Sequence, residues 1–209
     1  MSVLNQIAHF QNRRDEVPNQ QLARQLAEAE DVAGLREIAE NLWNKNPDIQ
    51  SDCIKVLYEA GYLKPELVAG YATDFIKLLR SRHNRLVWGG MIALSTIVEV
   101  AADEIYPHAG EIQKAMERGS VITVDNGVLA LARLAATSDA RGQEIFPYLL
   151  KHLQTCRPKE VPQHAEKTLA AVNAANKTAF VQVLEKRMED MTGSQAARLK
   201  KVMKVAKIR

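Results

Sequence analysis

The feature that most constrains this chain is a 37-residue period. Ile38, Phe75, Ile112 and Leu149 recur at that interval, and so do Leu42, Leu79, Met116 and Leu153. The two series lie four residues apart, which places them on one face of a helix. A second pair of series follows in each period. Ile54, Met91 and Val128 recur at 37 and lead to Ala165, while Leu57, Leu94 and Leu131 recur at 37 and lead, after a one-residue slip, to Leu169. Gly61, Val98, Ala135 and Val172 supply the next turn. Each period therefore offers one apolar stripe on a first helix and another on a second. A plain helical bundle also has apolar stripes, but nothing in it fixes their interval. A repeated helix pair that buries its face only against its neighbours does.

The reading that follows is all-α, in stacked antiparallel helix pairs. The first pair runs over about 31–61, with Asp31 as N-cap and Pro47 opening its second helix. The next three cover about 64–101, 102–138 and 141–175, and a shorter fifth pair covers 177–208. The slip is expected in the loop around Cys156, Arg157, Pro158 and Pro162, where an insertion does least harm. Residues 2–30 are read as two capping helices broken near Val17-Pro18, since they leave the period. The whole of 1–209 is thus expected to be one repeat domain. Composition agrees, with Gly plus Pro totalling only 17 residues and aromatics only 5%, a poor basis for turns and sheets.

The net charge of +3 is unevenly spread. Residues 177–209 carry nine Lys/Arg against three Asp/Glu, so the basic excess belongs to the C-terminal pair. Cys53 and Cys156 stand far apart without a CxxC and are expected to fill small buried spaces. No signal-type leader is apparent, and the most apolar stretch, 91–102, is too short to span a bilayer. A cytoplasmic setting is the expectation.

The block Phe75-Ile76-Lys77-Leu78-Leu79, then Arg85, then Met91-Ile92-Ala93-Leu94-Ser95-Thr96-Ile97, resembles the HEAT repeat family within the armadillo-type folds. Pro147-Tyr148-Leu149-Leu150-Lys151-His152-Leu153 is similar to the Pro-x-Leu-x-x-x-Leu start of such a repeat. The resemblance covers about 31–176. It implies a right-handed α-solenoid of about five helix pairs, capped at its ends, whose second helices line a concave, partner-binding surface.

Chemistry-bearing motifs are absent: there is no GxGxxG, P-loop, HExxH or nucleophile elbow. Gly89-Gly90 falls inside a helical stripe, and Gly90 and Gly127 are again 37 apart, a pattern of close helix packing rather than phosphate binding. The five histidines show no i, i+4 partner of metal-ligand character, His152 is read as a rim residue, and neither a metal nor a cofactor is expected.

The register yields one sharper constellation. Ser51, Trp88, Asp125 and Pro162 precede the buried stripe of each second helix, followed by Asp52, Gly89, Asn126 and Gln163. With Lys55, and with Arg133 two turns beyond Asp125, these form the candidate concave binding set of Asp52, Lys55, Trp88, Asp125, Asn126, Arg133 and Gln163. The plainer alternative is that Trp88 fills a gap between repeats and Asp125 caps a helix beginning near Asn126. A basic cluster of Arg80, Arg82 and Arg85 lies in an inter-helix turn, where it is either a phosphate contact or a solvated turn. Lys200, Lys204 and Lys207 form a second basic face, opposite the apolar stripe of Leu199, Met203 and Ala206. That helix is either a solenoid cap with a polar outer side or an anion-binding arm.

Two functions follow. The first is a non-enzymatic scaffold binding another protein, with nucleic acid as a possible partner through the basic patches. The second is an alkylpurine DNA glycosylase, because some of these are similar HEAT-like solenoids whose sites combine an Asp with aromatic and basic groups. The text VITVDNGVLAL around Asp125 lacks that family's local motif, and the balance leans away from an enzyme. A positive groove would favour the glycosylase; a neutral or acidic face would favour the scaffold.

Overall fold

The computed structural model describes residues 2–209. Every regular element among the described residues is helical. After a 3-10 turn at Leu4–Gln6 come α1 (Val17–Glu28), α2 (Val32–Glu40), α3 (Pro47–Leu63), α4 (Pro65–Val68), α5 (Ala72–Leu78), α6 (Asn84–Ile97) and α7 (Ala102–Ile105). They are followed by α8 (Ala109–Arg118), α9 (Val121–Ala136), α10 (Asp139–Thr155), α11 (Val161–Thr168), α12 (Lys177–Arg187) and α13 (Gly193–Lys207). The all-α repeat architecture is therefore observed. No helix among the described residues is long and apolar enough to cross a membrane. The chain divides into two compact units, one ending at Gly127 and the other beginning at Val128, within α9.

In the first unit the periodic residues form the core. Ile38, Phe75, Ile112, Ile54, Met91, Leu57 and Leu94 are all fully buried. Local signals set the ends. The Asp31 carboxylate accepts from the Gly34 amide at 2.9 Å and caps α2. Asn46 caps α3, and Pro47 occupies the first turn, where its missing N–H costs nothing.

Two expectations change here. The first helices of the second and third periods are not continuous. A short α4, a 3-10 turn at Ala69–Tyr71 and α5 make up one, and α7, a 3-10 turn at Tyr106–His108 and α8 make up the other. Pro107 lies in the second break, where it has no N–H to donate to a preceding carbonyl. Each of these two periods thus holds three α-helices rather than a pair. Nor is there a helix between the 3-10 turn and α1. The amides of Ala8 and His9 donate to Asn19 Oδ1 at 2.9 Å and Asp52 Oδ2 at 2.7 Å, so side chains replace helical carbonyls as their acceptors. Asn12, with φ of 53°, turns the chain out of any helix.

The glycines do the packing the sequence suggests. A Cβ on Gly89 would stand 2.8 Å from Ile54 Cγ1, and one on Gly90 would stand 3.0 Å from the Phe75 carbonyl oxygen. One on Gly127 would lie 2.4 Å from Met116 Cγ. These are points of helix-on-helix contact that admit no side chain.

In the second unit Leu149, Leu153, Leu131 and Ala165 are fully buried. The one-residue slip does not occur. Thr168, 37 residues after Leu131, is fully buried, while Leu169 is only half-buried. A threonine escaped notice in an apolar series because it is polar, but its hydroxyl donates to the His164 carbonyl at 2.8 Å, which lets it be buried within the helix. α13 packs on α11 and α12. Leu199, Val202 and Ala206 are its buried residues, with Met203 half-buried, and Lys200, Lys204 and Lys207 face solvent.

Two outcomes are expected. Leu94→Ala should cost about 2–5 kcal/mol in urea unfolding, as truncation of a buried Leu does. Deleting 193–209 should lower the melting temperature and cause concentration-dependent self-association, because it uncovers the apolar faces of α11 and α12. Melting and light scattering unchanged by the deletion would show α13 to be a free arm.

Candidate functional site

In the first unit, four of the residues singled out in the sequence gather around one that was not, Glu16, just before α1. Its carboxylate takes Lys55 Nζ at 2.8 Å through one oxygen and Arg85 at 2.7 Å through the other. Lys55 also pairs with Glu59 one turn along α3, at 2.7 Å. The Lys55 side chain is 7% exposed, and these partners hold its ammonium charged, outweighing the burial that opposes the charge. Lys55 Nζ lies 4.9 Å from the centre of the Tyr58 ring, and Arg85 lies 5.6 Å over the Trp88 ring. Tyr58 and Trp88 are neighbours, with ring centres 6.3 Å apart.

Asp52 completes the group. Besides the His9 amide it accepts from Asn19 Nδ2 at 2.8 Å, which ties the N-terminal segment and α1 to α3. Beside these residues opens a cleft of about 730 Å³. Arg13, Arg14 and Arg85 line it together with Asp15, Glu16, Asp48 and Asp52, so its charge is mixed and slightly acidic. His83 Nδ1 and Arg85 Nε, both on lining residues, are buried without a hydrogen-bond partner.

The remaining candidates lie elsewhere. Asp125 and Asn126 are half-buried on α9, and Asn126 donates to the Ile122 carbonyl of its own helix at 2.9 Å. α9 begins at Val121, with Ser120 Oγ accepting from the Thr123 amide at 3.3 Å, so Asp125 is inside the helix and caps nothing. Arg133, on the same helix, belongs to the second unit, as does the exposed Gln163 of α11. The basic turn is also largely committed. Arg80 forms a two-pronged ion pair with Glu111, Arg85 is bound to Glu16, and Arg82 is exposed. In the C-terminal set, Lys207 lies 3.7 Å from Glu185.

Neither thiol is poised as a nucleophile. Burial raises the Cys53 thiol far above its ordinary value, and pushes Cys156 up to about 11. Cys53 fills a fully buried space as expected, whereas Cys156 is half-buried at the end of α10. The reading of the histidines needs correction. His152 and Cys156 are an i, i+4 pair, and His152 is half-buried against the ring of His164, with ring centres 4.9 Å apart.

No family model matches the sequence, and no curated protein is significantly similar to it. Solved structures do share its fold. A designed armadillo repeat protein in complex with the peptide (KR)4 has a TM-score of 0.70 at 14% identity, covering 98% of this chain and 98% of that one. Computationally designed armadillo repeat proteins for modular peptide recognition give 0.67 at 14%, covering 97% and 98%. An engineered protein gives 0.69 at 17% over the full length of both chains. The fold is thus an armadillo-type helical repeat solenoid.

Asp52→Ala should cost about 1–3 kcal/mol in urea melts, since it strands the His9 and Asn19 donors. Amide exchange at His9 should accelerate more than that at Leu94, which follows global unfolding alone.

Proposed function

We propose that this chain is a non-enzymatic HEAT/armadillo-class scaffold that binds an extended, polar segment of another protein. The carrying observation is the cleft of the first unit, whose lining mixes both charges and in which Glu16 holds Arg85 and Asp15 holds Arg13 before any ligand arrives. Side chains already held in one geometry lose little entropy on binding, so such a surface converts hydrogen bonds and ion pairs into affinity efficiently. Backbone amides and carbonyls of an extended peptide suit a lining that offers both donors and acceptors. Two structural neighbours point the same way, one of them solved with a peptide and the other designed for peptide recognition. The mixed lining gives no support to a DNA-binding groove, which needs a cationic surface to displace counterions.

Arg14 and Asp48 are exposed lining residues without an ion pair that ties down the core. Peptides selected from a displayed random library against the full chain should lose more than about tenfold in affinity on Arg14→Glu or Asp48→Lys, roughly 1.4 kcal/mol. Melting temperatures should stay unchanged. Failure to enrich any peptide, or affinities indifferent to both substitutions, would refute the reading.

A further inference from the structure

We propose that His152, Cys156 and His164 form a binding site for a zinc-class transition-metal ion, with one coordination position left open. The donor atoms of the three all lie within 4.8 Å of one another. His152 Nε2 is 3.0 Å from His164 Nδ1. In a tetrahedral zinc site, with bonds of about 2.0–2.1 Å to nitrogen and 2.3 Å to sulfur, two nitrogens stand about 3.3 Å apart and a nitrogen and a sulfur about 3.6 Å. The imidazoles therefore need to part by only about 0.3 Å, and the thiol to close by about an ångström or less. Two imidazoles and a thiolate are the borderline-soft set that selects zinc or copper over magnesium or calcium.

The repeat register gives an independent reason to single out these residues. His164 falls 37 residues after Gly127, which itself falls 37 after Gly90. His152 falls 37 after Ala115 and, one period earlier still, Leu78. Position 90 meets position 78 directly, since a Cβ on Gly90 would lie 3.1 Å from Leu78 Cβ. A contact that is aliphatic in the second period is thus a pair of imidazoles in the fourth. Apolar packing gains nothing from that exchange, because a buried imidazole must be satisfied.

The surroundings leave room for a cation, whose own charge would have to draw the proton from the Cys156 thiol. His164 is 1% exposed and held on α11, whereas His152 and Cys156 are half-buried and leave an entry path. Arg187 fixes the backbone around Cys156, donating to the Leu153, Gln154 and Cys156 carbonyls at 2.6, 2.9 and 3.0 Å. Its own charge is met by Asp190 at 2.8 Å.

The inference stands apart from peptide binding, because every residue in it belongs to the second unit. Cobalt(II) titrated into the reduced full-length chain should give one-to-one binding with a thiolate-to-cobalt charge-transfer band. The band should vanish in Cys156→Ser and persist in Cys53→Ala. Zinc affinity, read by competition with a chromophoric chelator, should fall by more than about tenfold in His152→Gln, since even outer-shell partners are worth 10–100-fold. A readout on the unaltered chain covers the case of a variant that fails to fold: zinc should slow alkylation of Cys156 more than about tenfold. No charge-transfer band, a band surviving Cys156→Ser, zinc affinity unchanged in His152→Gln, or alkylation indifferent to zinc would each overturn the proposal.

Discussion

The close approach of the second helix to the first helix of its own period, seen in the second and third periods, governs this structure. Gly90 reaches the Phe75 carbonyl and Leu78, and Gly127 reaches Met116, so closely that an added methyl group would force a neighbour to move. At that separation Phe75, Leu79, Met91 and Leu94 are all buried. Dispersion contacts and apolar burial both depend on it. A shift of one residue in either helix would put Cβ atoms where the glycines now stand. The 37-residue interval is the sequence record of that constraint, since each period must return the same contacts to the same faces.

This explains what could be read in the sequence. Burial at a fixed interval is a local rule repeated, so the stripes, the Asp31 cap and the Pro47 start were legible. What escaped depended on groups that a hydropathy pattern does not see. Thr168 keeps the period through its hydroxyl bond to a helical carbonyl, so a series restricted to apolar letters slipped to Leu169. The breaks in the first helices of the second and third periods fall at Ala69–Tyr71 and at Tyr106–His108, and leave the buried faces in register. Segment 2–16 resembles a helix in its spacing of Leu4, Ile7 and Phe10. Yet Phe10 is 45% exposed, and the amides of Ala8 and His9 find distant acceptors in Asn19 and Asp52.

The candidate site was half legible for the same reason. Register picks out Asp52 and Trp88 as positions beside the stripe, and Lys55 and Arg85 lie next to them. Register could not reveal Glu16, which lies outside the period and supplies the carboxylate that joins Lys55 to Arg85. Its effect is to convert two mobile cations into fixed ones. Lys55 becomes a structural charge whose removal would leave Glu16 and Glu59 facing each other across a partly buried space. Binding at this cleft therefore falls to the outer residues, while the inner ones hold the shape.

A repeat fold gives every contact position several copies, and that redundancy separates positions that pack from positions that do something else. Where the copies agree, as at Ile38, Phe75, Ile112 and Leu149, the residue is accounted for by the core. Where one copy departs from an aliphatic consensus toward a group that costs free energy to bury, packing no longer explains it. His152 and His164 depart together, at two positions that touch in an earlier period, and Cys156 joins them one helical turn later. Two paired departures at one contact point to a common cause, and metal chemistry at that contact uses both imidazoles together with the Cys156 thiol. The interval that builds the solenoid thus also marks where this chain has stopped being a mere repetition.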